Sequence, residues 1–369
     1  MPTRIAFCIT DFDDGGAERH LADLVSRLPR DQFEPALVVL SHPPRPPADR
    51  LRQMLLEQRI PMTFLEGRSI LSTPQVWHRL RRWVGDFQPE LMHCLLAHAN
   101  VLGAYAGHRC GVRHIIAGIQ VAEQRRGWHL ALQRRSARFV AKHVCVSQSV
   151  ADYAASVMRL PREKLVVIAN GIDVGRFTHA EPVGHGVDSS RRLLLFAGRL
   201  DPQKHPDWLL ERMPQVFRRL PSHDLVIAGE GSMRERLRQL ATVLGIAERV
   251  HFVGWQVDIP RLLAASDLVV LSSRWEGMPN ILLEAMAASR PVVTTAVHGA
   301  QELLGTNAPW QITPAADADA FVEAIVRIAN DTPLAARLGT QNRLRAVNDF
   351  SIERMIAAYV ALYRSILSK

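Results

Sequence analysis

Two glutamates flank a glycine-containing turn in the second half of the chain. Glu276 follows the apolar run Leu268–Leu271, and Glu284 comes eight positions later, inside a predicted helix. The turn between them contains Gly277, Met278, Pro279 and Asn280. Asn and Pro are favoured where a helix begins, and the amides of a helix start attract anions. Because carboxylates accept hydrogen bonds from hydroxyls, this segment suits a ligand with phosphates between two hydroxyl-bearing groups.

Two cations follow the first predicted strand of the same half. The strand at 193–197 leads directly into Gly198 and Arg199, and Lys204 comes five residues later. Ligands of open parallel sheets bind at the carboxyl ends of strands. An arginine fork and a lysine point charge at such an end suit a diphosphate, and a surface salt bridge is the alternative. With cations nearby, the two glutamates are interpreted as clamps on hydroxyls rather than as the acid and base of a hydrolase.

A glycine pair, Gly15-Gly16, stands between the first predicted strand and a helix. Glycines at this place let the backbone approach a ligand, and the helix start favours an anion. The spacing differs from the dinucleotide-binding fingerprint, and a simple tight turn is the alternative. Asp11 and Asp13 just before it resemble a metal-binding pair, although ordinary loop acids are the favoured interpretation.

A third turn, Gly229-Glu230-Gly231, follows another apolar strand. Its glycines allow a flat group such as a nucleotide base to come close to the backbone. Many turns between a strand and a helix share this composition, so the motif has low specificity when taken alone.

Short apolar runs alternate with helix-period segments along the chain, which predicts parallel sheets covered by helices. Strands are predicted at 4–9, 36–40, 90–94, 114–118, 143–146, 165–168, 193–197, 224–228, 250–253, 268–271 and 291–294. Helices are predicted between them, for example at 17–28, 74–85, 206–219, 233–244 and 318–329. A segment rich in Gly, Pro, Ser and His at about 171–191 separates two halves, each predicted to be a doubly wound α/β domain.

The bulk properties are those of a globular protein of 369 residues, long enough for two domains of roughly 100–200 residues each. The sequence contains no run of about 18 apolar residues, so it predicts no membrane-spanning helix. Four cysteines, none in a CxxC pair, indicate a reduced cytoplasmic protein with buried thiols.

The net charge of +9 suits binding to nucleic acid, to an anionic membrane surface or to phosphorylated substrates. Two basic clusters lie in the first half: Arg79, Arg81 and Arg82, and Arg125, Arg126, Arg134, Arg135, Arg138 and Lys142.

Taken together, the motifs resemble glycosyltransferases of family 4, which have the GT-B fold of two Rossmann-like doubly wound domains facing each other across a cleft. The matching residues occur in the family's order: Gly15-Gly16-Ala17-Glu18, Gly198-Arg199-Leu200 with Lys204, Gly229-Glu230-Gly231, Phe252-Val253-Gly254, and the Glu276/Glu284 pair. The resemblance covers nearly the full length. It implies an acceptor-side domain at 1–175, a linker at 176–191, a nucleotide-sugar domain at 192–350, and a helix at 351–369 that returns to the first domain.

The resemblance also implies roles for individual residues. Arg199 and Lys204 would hold the donor diphosphate and stabilise the leaving group, Glu276 would contact the transferred sugar, and Glu284 would bind the ribose. Backbone amides around Gly277–Asn280 would also reach the donor. Further donor-side positions are Gly15, Gly16, Gly198, Gly229, Glu230, Met278 and Pro279. Such an enzyme retains the anomeric configuration and needs no metal or cofactor, because side-chain cations and helix dipoles stabilise the charge.

The acceptor side departs from the family pattern. Many relatives carry a His or a charged residue where this chain has Gly118-Ile119-Gln120, so His98 becomes the candidate for assisting the acceptor, with a structural role as its alternative. The donor would be a UDP- or GDP-sugar. The acceptor would be a sugar, a glycolipid or a lipid carrier in polysaccharide or envelope biosynthesis.

Other functions remain as alternatives. They are a different GT-B enzyme such as an epimerase or phosphorylase, and a catalytically silent nucleotide-sugar-binding module. A nucleic-acid binder is disfavoured because no such motif occurs and only 6% of residues are aromatic. The arginine clusters suggest a cytoplasmic protein that contacts the inner face of an anionic plasma membrane.

Overall fold

The computed structural model describes residues 1–46, 48–67, 73–122, 127–178, 180–183, 187–188, 190–315 and 317–368. The chain divides into two compact units. The first unit comprises Met1–Gly171 together with Ile352–Lys369, and the second comprises Ile172–Ser351. This division falls at 171/172, whereas the sequence predicted that the first domain ends at 175.

The first unit is built on a seven-stranded parallel sheet. Its strands are β1 (Thr3–Ile9), β2 (Phe33–Val39), β3 (Met62–Phe64), β4 (Leu91–Leu95), β5 (His114–Ile119), β6 (Lys142–Cys145) and β7 (Leu165–Val167). The spatial order is β3-β2-β1-β4-β5-β6-β7. Strands β2 and β3 are added on one side of β1, and β4 to β7 are added on the other side. The switch point, where open α/β sheets bind ligands, therefore lies between β1 and β4.

Helices connect these strands and cover the sheet. They are α1 (Gly16–Arg27), α2 (Arg50–Glu57), α3 (Thr73–Phe87), α4 (Ala97–Arg109), α5 (Gly127–Ser136) and α6 (Gln148–Ser156). The central strands are continuously apolar because helices bury both of their faces: in β1, the last five residues are all buried.

The second unit repeats this plan with six parallel strands. They are β8 (Arg192–Ala197), β9 (His223–Ala228), β10 (Val250–Gly254), β11 (Leu268–Leu271), β12 (Val292–Thr295) and β13 (Ile312–Thr313). The spatial order is β10-β9-β8-β11-β12-β13. Its switch point lies between β8 and β11, the two strands that precede the predicted cations and the predicted glutamate pair.

The helices of the second unit include a short one inside the predicted linker. They are α7 (Gly175–Thr178), α8 (Pro206–Arg219), α9 (Arg234–Val243), α10 (Ile259–Ala265), α11 (Asn280–Ala287), α12 (Ala300–Leu304), α13 (Ala308–Gln311), α14 (Ala318–Asn330) and α15 (Thr332–Asp349). Helix α11 is almost wholly apolar, and every residue after Asn280 in it is buried. Such a helix is fixed by the core on all sides.

The last helix, α16 (Ile352–Leu367), packs into the core of the first unit. Its Tyr359 and Tyr363 are fully buried. Tyr359 OH lies 3.0 Å from His20 Nε2, and Tyr363 OH lies 2.8 Å from His93 Nδ1. Burial lowers the pKa of His20 to about 4 and, together with the charge of His20, that of His93 to about 3.

The predicted fold class is confirmed: the chain forms two parallel-sheet α/β units. The edge strands β3 and β13 were not predicted. They have three and two residues and each contains a threonine, so neither forms a continuous apolar run like the equally short β7, which was predicted. All four cysteines are unpaired thiols, and three of them, Cys8, Cys94 and Cys145, are buried.

Candidate functional site

The turns after β8 and β11 meet at the switch point of the second unit. Lys204, in the turn after β8, places its Nζ 2.6 Å from Oε1 of Glu276, in the turn after β11. The Ser273 hydroxyl donates a second hydrogen bond of 2.6 Å to the same carboxylate oxygen. The side chains of Lys204 and Glu276 are only 15% and 7% exposed. The predicted phosphate cation, which is partly buried, and the predicted sugar clamp, which is buried, therefore form one charge pair.

The β8 turn is held in place by polar contacts. The Asp201 carboxylate accepts hydrogen bonds from the backbone amides of Gln203 and Lys204, both at 3.1 Å. The Ser272 hydroxyl lies 3.0 Å from the carbonyl oxygens of Lys204 and His205, and donates to both. These contacts fix the backbone that carries Lys204, so the lysine is positioned before any ligand arrives.

The β11 turn is anchored in the same way. Its Arg274 amide donates to the Gln203 carbonyl at 2.8 Å, and the Gln203 side-chain amide donates to the Trp275 carbonyl at 3.1 Å. The Thr295 hydroxyl, at the end of β12, donates to the Ser273 carbonyl at 2.8 Å. Sequence reasoning missed the positioning roles of Ser272, Ser273 and Asp201. The sequence did contain a signal for the serines, since both directly follow the apolar strand β11.

Arg199 has a different environment from Lys204. Its side chain is 65% exposed, and its guanidinium lies 3.3 Å from Asp201 Oδ2 and 3.0 Å from Gln203 Oε1. An exposed ion pair of this kind contributes about 0–1 kcal/mol to stability. Arg199 is thus a cation at the switch point whose loss costs the fold little.

The predicted start of the helix after Glu276 is present. Helix α11 begins at Asn280 with Pro279 as its N-cap residue, and Glu284 lies within it and is buried. The turn before it is shaped by Gly299, which has a φ of +79°. A Cβ at this glycine would stand 2.5 Å from the Gly277 carbonyl oxygen. Glycine is needed there because the backbone after β12 contacts the turn directly.

The third predicted turn supports the β8 turn rather than standing alone. Gly229 has a φ of +143°, and a Cβ there would lie 1.9 Å from the Gly198 carbonyl oxygen. The Leu200 amide also donates to the Glu230 carbonyl at 2.9 Å. The Glu230 side chain is partly exposed and forms an ion pair with Arg234. The turns after β8 and β9 thus form one backbone layer at the carboxyl end of the sheet.

The predicted residues of the first unit lie at its own switch point. Helix α1 starts at Gly16, and a Cβ at Gly15 would come within 2.2 Å of Glu18 Oε2. The close neighbour of Gly15 is therefore a carboxylate of the protein itself. His98 is exposed in the first turn of α4, and the adjacent Ala99 amide donates to Thr10 Oγ1 at 3.2 Å. The turns after β1 and β4 are joined by this bond.

Asp11 and Asp13 are the acids that resemble a metal-binding pair in the sequence. Among the described residues, no group of three or more His, Cys, Asp or Glu side chains is arranged to hold a metal ion. Burial, followed by the charge of Asp11, raises the pKa of Asp13. Asp14, next to them, is buried and lies 3.3 Å from Arg19 Nη2 and 3.5 Å from Arg50 Nε.

Both units match models of one enzyme family. Residues 14–176 match the model described as Glycosyltransferase Family 4, and residues 191–331 match the model described as Glycosyl transferases group 1. The lipopolysaccharide core biosynthesis mannosyltransferase LpsB of Rhizobium meliloti is 30% identical over 261 residues, which cover 67% of this chain and 71% of that protein. The chain belongs to glycosyltransferase family 4.

A further relative of this glycosyltransferase aligns along almost its whole length. The UDP-Gal:alpha-D-GlcNAc-diphosphoundecaprenol alpha-1,3-galactosyltransferase of Escherichia coli is 25% identical over 367 residues, covering 94% of this chain and 93% of that protein. Among solved structures, Anabaena Alr3699/HepE in complex with UDP-glucose superposes with a TM-score of 0.85 at 21% identity, covering 98% of this chain and 99% of that one. At this identity the likeness shows the fold, which is GT-B.

The family resemblance drawn from the motifs is therefore confirmed, and the glycosyltransferase is an enzyme of the predicted class. Of its described residues, none lie in a helix long and apolar enough to cross a membrane.

Proposed function

We propose that this glycosyltransferase transfers a hexose from a UDP- or GDP-sugar to a lipid-linked or glycolipid acceptor during envelope polysaccharide synthesis. The observation that carries the proposal is the Lys204–Glu276 ion pair at the switch point of the second unit, with Arg199 exposed beside it. The Escherichia coli relative is named for a UDP-sugar donor and a diphosphoundecaprenol-linked acceptor. The Rhizobium relative is named for lipopolysaccharide core synthesis.

The charges of the site suit a donor with a diphosphate. Arg199 and Lys204 supply two cations to its phosphate oxygens, and the α11 N-terminus adds a partial positive charge. As the bond between the sugar and the phosphate breaks, negative charge grows on the leaving diphosphate. Cations fixed before the reaction stabilise that charge without reorganisation. We propose that they do so without a metal ion.

The carboxylates suit the hydroxyls at the two ends of the donor. In the proposed complex, Glu276 accepts hydrogen bonds from the transferred sugar, and Lys204 holds the Glu276 carboxylate in place. Glu284 accepts hydrogen bonds from the ribose. Glu276 is held by Lys204 and Ser273 at 2.6 Å each, which suits a fixed acceptor better than a group that must move a proton. His98 is proposed to assist the acceptor hydroxyl.

The test is a transfer assay on the purified chain. We expect one sugar among a panel of UDP-, GDP- and ADP-sugars to raise the melting temperature, because a ligand that binds only the folded state stabilises it. Transfer to a diphospholipid-linked sugar should give a product whose anomeric configuration, read by NMR, equals that of the donor. A chain that binds and turns over no sugar of the panel would contradict the proposal. An inverted anomer would contradict retention alone.

A further inference from the structure

The surface of helix α5 carries apolar side chains that the fold does not cover. Trp128 is 52% exposed and Leu132 is 41% exposed. They are four residues apart, with exposed Ala131 and Arg135 at the same helical spacing, so all four lie on one face of the helix. In the whole helix, only Ser136 is buried. We call Trp128, Ala131, Leu132 and Arg135, together with exposed Arg138 in the turn after the helix, the α5 face.

The charge around the α5 face is positive. The sequence from 127 to 142 contains no Asp or Glu and has four cations: Arg134, Arg135, Arg138 and Lys142. Arg134 donates to the backbone oxygens of Val157 and Met158, and Lys142 donates to that of Glu163. Such carbonyls are neutral, and among the described residues no carboxylate forms an ion pair with any of these four cations.

The other basic cluster of the first unit is different. On α3, Arg79 Nη1 lies 3.0 Å from a carboxylate oxygen of Glu66, and Arg82 Nε lies 3.8 Å from one of Asp86. Acids in the structure therefore offset much of its charge. The cluster around α5 combines exposed apolar groups with cations that form no ion pair to an acid in the part of the chain that the structure describes. Arg125 and Arg126, which the sequence assigned to the same cluster, lie outside the described residues.

The α5 face begins near the acceptor candidate of the first unit. The ring of His129 stacks on that of Trp128, with centroids 3.4 Å apart, and lies 6.1 Å from the ring of His98. At its other end, Phe139 stacks on His108 near the end of α4. The α5 face thus runs alongside α4, starting at the edge of the sheet where His98 is exposed.

We propose that the α5 face docks this enzyme on an anionic phospholipid bilayer. The Trp128 indole and the Leu132 side chain enter the boundary between headgroups and acyl chains, and Arg135 and Arg138 contact lipid phosphates. Tryptophan suits this depth because its ring is apolar while its N–H remains near water. A second copy of the chain fits less well, since two such faces would bring like charges together.

The test is flotation of the full chain with vesicles, without donor or acceptor, so its outcome is independent of the proposed transfer reaction. We expect binding to vesicles containing phosphatidylglycerol, weak binding to phosphatidylcholine vesicles, and loss of binding in high salt. The double variants Trp128→Ser/Leu132→Ser and Arg135→Gln/Arg138→Gln should each reduce the bound fraction at least tenfold. Brominated lipid should quench the fluorescence of the wild type and quench that of Trp128→Phe less.

Matched controls carry the same changes elsewhere. Leu344→Ser/Val347→Ser removes two exposed apolar groups of α15, and Arg81→Gln/Arg82→Gln removes two exposed cations of α3. Both controls should float like the wild type. Folding of every variant is checked by its melting temperature. Equal flotation of the α5 variants and the wild type, or no flotation at all, would overturn the proposal. So would a dimer in solution that dissociates on Trp128→Ser/Leu132→Ser.

Discussion

Lys204 and Glu276 are 72 residues apart in the chain, yet Nζ of the lysine lies 2.6 Å from Oε1 of the glutamate. They meet because β8 and β11, the strands before them, are neighbours in the sheet. Glu276 is buried and Lys204 is partly buried, so each charge depends on the other for much of its compensation. In the proposed complex, Lys204 also faces the donor diphosphate and Glu276 the donor sugar. The pair thus joins the stability of the second unit to its proposed activity.

Loss of either partner of this pair should destabilise the fold. Lys204→Met leaves a buried carboxylate that still accepts from Ser273, and Glu276→Gln leaves a partly buried ammonium without its counter-charge. Each should lower the free energy of unfolding by about 3–5 kcal/mol, as expected when one member of a buried ion pair is removed. The double variant should recover part of that loss. Chemical denaturation of the four proteins measures the coupling, and strictly additive losses would contradict a direct interaction.

Substitution of Arg199 should lower the transfer rate while leaving the stability of the fold almost unchanged. Because its side chain is 65% exposed, Arg199→Ala should change the free energy of unfolding by no more than about 0.5 kcal/mol. Its transfer rate should fall by about 10²–10³-fold, the cost of removing one group that stabilises transition-state charge. Arg218→Ala, at an exposed arginine near the end of α8, is the control and should keep its full rate. An Arg199→Ala enzyme of normal kcat would remove this residue from the leaving-group role.

A methyl group at Gly229 should disrupt the backbone layer under the β8 turn. The added Cβ would meet the Gly198 carbonyl oxygen at 1.9 Å, and the φ of +143° is unfavourable for any other residue. The strained backbone alone costs about 1–3 kcal/mol. Gly245→Ala is the matched control: its φ is +67°, and apart from its chain neighbours no described atom lies within 4 Å of the added Cβ. Thermal unfolding should show a much larger loss for Gly229→Ala, together with weaker nucleotide binding.

The buried histidines of the first unit should make its stability depend on pH. The folded pKa values of His20 and His93 are about 4 and about 3, below the value of 6.5 for a free histidine. Below pH 6.5 the unfolded chain therefore binds protons that the folded chain excludes. Stability is full above pH 6.5 and falls as the pH drops towards 4, by up to about 1.4 kcal/mol per pH unit for each histidine.

Calorimetric unfolding between pH 7.5 and 5 measures this dependence. His20→Gln/His93→Gln should flatten the decline of the melting temperature. It should not abolish the decline, because burial also lowers the pKa values of His143 and His223 to about 4. The exposed His78→Gln is the control and should follow the wild type. A double variant with the wild-type slope would show that these two histidines do not carry the linkage.

Local sequence patterns predicted most of the fold. Continuous apolar runs such as Leu193–Ala197 identified the central strands because helices cover both faces of a parallel sheet. The edge strands β3 and β13 escaped prediction because each is short and interrupted by a threonine, whereas the equally short β7 is a continuous apolar run. The helix start at Asn280 was predicted because Pro and Asn are favoured there.

The contacts within the candidate site could not be predicted in the same way. The order of strands in a sheet is set by packing across the whole unit, so nothing local to Lys204 indicated that Glu276 is its partner. Gly229 was interpreted as a possible base-binding turn. Its closest neighbour is the Gly198 carbonyl, a backbone approach that depends on the pairing of β8 with β9. The positioning serine Ser273 was likewise visible in the sequence but had no assignable partner there.

Whether the Lys204–Glu276 pair binds the donor is tested by titration calorimetry of the full chain with nucleoside diphosphates and their sugar conjugates. The wild type should bind one nucleoside diphosphate and should bind its sugar conjugate more tightly. Lys204→Ala should weaken both. Glu276→Ala should leave the nucleoside diphosphate affinity within a few-fold of wild type and remove the gain that the sugar provides. If no nucleoside diphosphate binds, or if Glu276→Ala binds the sugar conjugate as tightly as the wild type, the assignment of this pair to the donor is wrong.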